Sequence, residues 1–270
     1  VYRSIVVLLE DKADHASLIR AATNLAQVGD GHISAVYVVP LTSTMFSMPD
    51  VVNVESFRNR ANEVHEHFES ALKAANLKGS WHYTEGGDVV AEVAQQSLFA
   101  DIVLLRRNKH NHKVVDKVLL TAGCPALLLP PAELPSISFD RILVAWKSTR
   151  EAARALHDTL PLLHQANDIV IAALGELSDH EKQSLTSYLT AHGIDAKIEQ
   201  HTVEDPYTEP SLLRDIEKSV GRRLLALAKQ ENRDLIVMGA YGHSRFSEAI
   251  LSGVTNLVSQ MAEIPVLMSH

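Results

Sequence analysis

Two tandem α/β domains, each an open, doubly wound parallel sheet, are predicted for this 270-residue chain by three observations. The sequence repeats itself. Its apolar runs are short and lack strict alternation. Each run is followed by residues with helical periodicity.

The repeat is read first, because missing it misassigns the fold. Ser4-Ile5-Val6-Val7-Leu8-Leu9 reads like Arg141-Ile142-Leu143-Val144-Ala145-Trp146. His32–Val39 matches Asp168–Leu174, Ala100–Leu105 matches Arg233–Met238, and Cys124–Leu129 matches Ile264–Met268. Four correspondences in one order, offset by roughly 135 residues, indicate a duplication. The expected domains are residues 1–132 and 140–270. A linker at 133–139 follows Pro131 and contains Pro135, which suppress helix there.

Apolar runs without alternation are buried on both faces, which means parallel strands covered by helices. The pattern β-α-β-α-β-α-β is therefore expected in each copy. In the second copy Ser148-Thr149-Arg150-Glu151 reads as a capping box, followed by an apolar face of Ala152, Leu156, Leu160 and Leu163. Leu18, Ala21, Ala22 and Leu25 form the matching face in the first copy. Asp205–Pro210 is an excursion peculiar to copy two, either a plain loop or a lid.

Composition narrows the function. Hydrophobic residues make up 46% and charged residues 21%, as in soluble globular domains. The net charge of −8 argues against nucleic acid as the main partner. No apolar run approaches the ~20 residues of a membrane span, and Val1–Ser4 leads directly into a strand, unlike a signal peptide. One cysteine, Cys124, beside the apolar run Pro125–Leu129, suits a small core residue and a reducing cytoplasm.

In open α/β sheets, ligands sit at the carboxyl ends of strands where the strand order reverses. After Met238 the chain reads Gly239-Ala240-Tyr241-Gly242, then nine residues beginning with His243, then Ser252-Gly253-Val254-Thr255. Glycines let backbone approach a phosphate, and a helix starting near Ser252 would direct free amides at an anion. Ser252 and Thr255 add hydroxyls. A Gly-x-x-Gly pair alone is equally well a turn.

The full arrangement resembles the nucleotide motif of the universal stress protein family, usually Gly-x-x-Gly, nine residues, then Gly-Ser/Thr. That resemblance covers the chain as two family domains with a Rossmann-like, adenine-nucleotide-hydrolase-like fold. It implies ATP or a related adenine nucleotide, with Mg possible beside it. The loop would hold the phosphates, and the end of the first strand would lie near adenine and ribose. The residues it implicates are Lys147, Ser148, Ala173, Met238, Gly239, Gly242, His243, Ser252, Gly253, Val254 and Thr255. Three departures matter. Ser252-Gly253 displaces the hydroxyl by one position. Lys147 stands where the family often has an aspartate, and a lysine cannot accept a hydrogen bond. Copy one keeps a possible first-strand acid, Glu10, but has no glycine between Leu105 and Val114, so it is expected to be degenerate for ATP.

Other clusters carry less. His65-Glu66-His67 falls in a helix, where residues two apart diverge, so both read as surface histidines. His110-Asn111-His112, if extended, places two imidazoles on one face and could take zinc with a third ligand. Lys109 and Lys113 oppose a cation there. Arg106, Arg107, Lys109, Lys113 and Lys117 read as a solvated basic loop or an anion patch. No nucleophile elbow, zinc-protease helix or Walker loop is present. The reading that results is a cytoplasmic nucleotide sensor or regulator. Its rivals are a ligand-free module that docks an unidentified protein partner and a weak ATPase or phosphatase. The two copies are expected to pair as an internal pseudo-dimer through their terminal apolar strands, with a homodimer also open.

Overall fold

Each half of the chain builds a five-stranded parallel sheet among the described residues, one strand more than the sequence reading assigned. The computed structural model describes residues 1–10, 15–39, 54–108, 111–201, 213–241 and 253–270. They divide into two units, Val1–Ile137 and Ser138–His270.

In the first unit β1 (Ser4–Leu8), α1 (Ala16–Gln27), β2 (His32–Val39), α2 (Val54–Ala75) and β3 (Lys78–Glu85) come first. Then follow α3 (Val89–Ser97), β4 (Ile102–Arg106), α4 (His112–Thr121) and β5 (Ala126–Leu129). The strand order is β3-β2-β1-β4-β5. The second unit runs β6 (Arg141–Trp146), α5 (Arg150–Leu163), β7 (Asp168–Leu174), α6 (Asp179–Ala191) and β8 (Lys197–His201). It continues with α7 (Leu213–Gln230), β9 (Leu235–Gly239), α8 (Gly253–Met261) and β10 (Val266–Ser269). Its order is β10-β9-β6-β7-β8. The order reverses between β1 and β4 in one unit and between β6 and β9 in the other. Those two crevices are the places to look for a ligand.

The strands read from apolar runs are the central ones. Ile5, Val7, Ile33, Ile102, Ile142, Val144, Leu235 and Val237 are all fully buried. The additional strands, β3 and β8, lie at sheet edges and carry Lys78, Ser80, Thr84, Lys197, Glu199 and Gln200. An edge strand need bury only one face, so it shows no apolar run. β3 is held by aromatic packing: Trp81 stacks on Tyr37 of β2 at 5.6 Å and on His65 of α2 at 4.7 Å. His65 is thus half-buried packing, whereas His67 is exposed as expected.

The duplication extends to single hydrogen bonds. Asp101, before β4, accepts from the amides of Arg3 (2.6 Å) and Ser4 (2.9 Å) at the start of β1. Asp234, before β9, accepts from the amides of Asp140 (2.9 Å) and Arg141 (3.0 Å) at the start of β6. Each carboxylate satisfies strand-end donors that have no ladder partner.

Several local readings shift. The α5 cap is Thr149, not Ser148: its hydroxyl accepts from the Ala152 amide at 3.3 Å, and Glu151 pairs with Arg150 at 3.0 Å. Ser148 is drawn elsewhere, as described below. The reciprocal box sits one helix later, between Ser178 and Glu181 at the start of α6. Ala152, Leu156 and Leu163 are buried, but Leu160 is only half-buried. Ala155, Thr159 and Leu162 complete that face. Leu18, Ala21, Ala22 and Leu25 are buried as the periodicity requires. Cys124 is half-buried in the turn before β5, not in the core.

Candidate ligand-binding site

A cavity of about 190 Å³ opens at the carboxyl ends of β6 and β7 in the second unit. Trp146, Lys147 and Ser148 come from the end of β6, and Ala173, Leu174 and Gly175 from the end of β7. Glu176, Leu177 and Glu181 come from the β7–α6 turn and the first turn of α6. Three of the residues implicated by the sequence, Lys147, Ser148 and Ala173, are therefore brought together.

One wall is fixed by Glu181. Its carboxylate accepts from the Ser178 hydroxyl (2.6 Å) and amide (3.0 Å). The hydroxyls of Ser148 and Ser178 and the Ser178 amide together hold it down at about 2. Ser148, taken from the sequence as a helix cap, instead ties the end of β6 to the start of α6. The Trp146 indole Nε1 is buried and has no hydrogen-bond partner.

Met238 and Gly239 close β9 next to β6. Gly239 faces α5: a Cβ there would lie 2.6 Å from the Glu151 carbonyl carbon and 2.7 Å from the Ala152 nitrogen. Its missing side chain therefore lets strand and helix approach. Tyr241 follows in a left-handed conformation (φ 58°), and its amide donates to the buried Thr255 hydroxyl at 3.3 Å. Thr255 thus anchors the chain leaving β9. Gly253, Val254 and Thr255 form the first turn of α8. Gly242, His243 and Ser252 lie outside the described residues, as does the excursion at 205–210. Trp146, Glu176 and Glu181 were missed by sequence reasoning. The Ser178-x-x-Glu181 signature after β7 would have placed Glu181 at this end of the sheet.

In the first unit the ends of β1 and β4, the counterparts of β6 and β9, are bridged by side chains. Glu10, past the end of β1, accepts from the Asn111 amide group (2.5 Å) and from that of Asn108 (3.3 Å). Asn108 and Asn111 each donate a backbone amide to the other's side-chain oxygen, at 2.8 and 2.9 Å. Asn111 also donates to the Arg106 carbonyl at 2.7 Å. The predicted solvated basic loop is corrected here. Arg106 is buried and donates to the Pro131 carbonyl at 2.7 Å, and Arg107 is buried, which pushes its guanidinium down to about 10. His112 opens α4 behind the Asn111 cap and is not in an extended segment. His110 lies outside the described residues. No group of three His, Cys, Asp or Glu able to hold a metal occurs among the described residues.

Burial raises the Glu10 carboxyl above its ordinary value, with the Asn111 hydrogen bond opposing. The fold then binds that proton more tightly than the unfolded chain does, so stability falls as pH rises through the raised value. Glu10→Gln keeps an oxygen for Asn111 and cannot ionise. Its urea midpoint should exceed the parent's at neutral pH and converge with it below about pH 4.

Residues 138–270 match the sequence profile of the Universal stress protein family. No curated protein matches the chain in sequence. Among solved structures, the chain is similar to a universal stress protein from Archaeoglobus fulgidus DSM 4304. The TM-score is 0.71 at 18% identity, covering 98% of this chain and 97% of that one. It is also similar to a Pseudomonas aeruginosa UCBPP-PA14 protein described under the same family name. There the TM-score is 0.63 at 16% identity, covering 100% of this chain and 93% of that one. Both likenesses span the two units and show a shared fold.

Proposed function

We propose, on the premise that this chain belongs to the universal stress protein family through residues 138–270, that its second unit binds ATP or a related nucleotide and acts as a sensor or regulator. The observation that carries this reading is the cavity at the strand ends of the second unit. It lies at the carboxyl ends of β6 and β7, and β9, which ends in Gly239, pairs with β6 on the side away from β7. In the first unit Glu10, Asn108 and Asn111 join the ends of β1 and β4. A nucleotide base would enter the cavity, with its phosphates toward the start of α8, where helix amides favour anions. Any Mg would arrive with the phosphates.

No catalytic role is proposed. Phosphoryl transfer needs placed charge and usually a metal, and no nucleophile with a partnered base is identified among the described residues. No helix among the described residues is long and apolar enough to cross a membrane.

A second reading, a module that docks a protein partner without ligand, is favoured by Gly239. Its packing against α5 accounts for a glycine without invoking a phosphate. Mass spectrometry of small molecules released from the denatured, freshly purified protein separates the two readings. A stoichiometric nucleotide supports the first, and its absence, together with no calorimetric signal, supports the second. Titration should give one site per chain. Two equivalent sites would contradict the expectation, drawn from the absence of glycine between Leu105 and Val114, that the first copy is degenerate for ATP.

A further inference from the structure

We infer that the first unit holds a site for a late first-row divalent cation, zinc or copper, between its edge strand β3 and the neighbouring β2, with His32 and His82 as the anchoring ligands. The inference is independent of the nucleotide reading. In the parallel register Ser34 stands opposite Ser80, and Val36 opposite His82. Side chains alternate along a strand, so His32, Ser34, Ser80 and His82 share one face of the strand pair. The other face carries Trp81, stacked on Tyr37 and His65.

The four donors converge. The His32 Nε2 lies 3.1 Å from the Ser80 hydroxyl oxygen, and the His82 Nε2 lies 3.2 Å from the same atom. That hydroxyl donates its one hydrogen to the Ser34 oxygen at 3.1 Å. Two imidazoles, one from each strand, therefore aim a ring nitrogen at one point. Ligands held about 2.0–2.1 Å from one cation stand about 2.9 Å apart in an octahedron and about 3.4 Å apart in a tetrahedron. The spacings of 3.1 and 3.2 Å fall between those values. His32 is exposed and the other three are half-buried, so an ion from solvent can reach them.

Imidazole nitrogen favours zinc, copper or nickel over magnesium and calcium, which prefer oxygen. Among the described residues no third imidazole, thiol or carboxylate completes the set. The Ser80 hydroxyl and water are left to fill the remaining positions. Lys78, opposite His32 in the register, brings a like charge to this face, and its flexible stem lets the ammonium turn to solvent. A cation held from both strands would clip the edge strand to the sheet.

The experiment is calorimetric titration of the whole chain with Zn2+, Cu2+ and Mg2+. The parent should bind Zn2+, bind Cu2+ more tightly and give no signal with Mg2+. The chain has 14 histidines, so the variants decide which of them bind. His32→Ala and His82→Ala should each weaken Zn2+ at least tenfold, and the double variant should not bind it. His67→Ala, which removes an exposed histidine of α2, should leave the affinity unchanged. Zn2+ should also slow hydrogen exchange of the β3 amides in the parent and not in the double variant. If a variant does not fold, nitrogen NMR of the parent gives the second readout: Zn2+ should shift the Nε2 signals of both His32 and His82. Failure of the parent to bind Zn2+ and Cu2+, binding that survives the double variant, or unmoved Nε2 signals at His32 and His82 overturns the inference.

Discussion

Gly239→Ala should lower the unfolding free energy of the second unit by about 2 kcal/mol, the scale of an overpacked core. The new methyl would sit 2.6 Å from the Glu151 carbonyl carbon, 2.7 Å from the Ala152 nitrogen and 2.8 Å from the Glu151 Cβ. Two of those three atoms are backbone in the first turn of α5, so no rotamer change can relieve the contact. Either α5 lifts off the sheet or β9 shifts, and both loosen the crevice at the strand ends. Gly221→Ala in α7 is the control. Its methyl would meet the Leu257 side chain, nearest at 3.0 Å, which can turn aside, and alanine gains about 1 kcal/mol of helix propensity over glycine. Urea unfolding should show a clear loss for Gly239→Ala and little change or a gain for Gly221→Ala. A Gly239→Ala protein with an unchanged midpoint and no nucleotide binding would move the role of this glycine from packing to ligand contact.

That glycine shows where sequence reading succeeds and where it stops. Gly239 could be singled out from a strand followed by Gly-x-x-Gly, but its structural duty depends on how closely α5 approaches, which no local pattern encodes. The central strands were legible because burial on both faces forces continuous apolar runs, as in Ile142–Val144 and Leu235–Val237. The edge strands β3 and β8 were not, since their outward faces tolerate Lys78, Ser80, Lys197 and Glu199. Lys147 was found because it breaks a family pattern. Glu181 was overlooked because it reaches the cavity from the next helix, through contacts with Ser148 and Ser178 that are local only in space. Arg106 and Arg107 looked like a solvated patch in sequence. Position in the chain does not reveal that a guanidinium such as that of Arg106 finds a carbonyl and stays buried.

Lys147→Asp should convert the site toward adenine. The variant should bind ATP one to two decades more tightly than the parent, the equivalent of about 1–3 kcal/mol for a hydrogen bond regained to a ligand group. Lys147 lies at the end of β6 and lines the cavity with Trp146. In the parent both residues can only donate. Aspartate at 147 gives that wall one donor and one acceptor, which complements an adenine ring nitrogen beside its exocyclic amine. Guanine, whose corresponding edge reverses donor and acceptor, should gain nothing. The measurement is the pair of dissociation constants for ATP and GTP in parent and variant at one fixed salt concentration, since removing a cation also weakens attraction for phosphates. That loss is common to both nucleotides, so the ATP-to-GTP ratio isolates the base. Tighter ATP binding by the parent, with GTP weakened equally in the variant, would mean that Lys147 contacts a phosphate and that the nucleotide lies the other way round in the crevice.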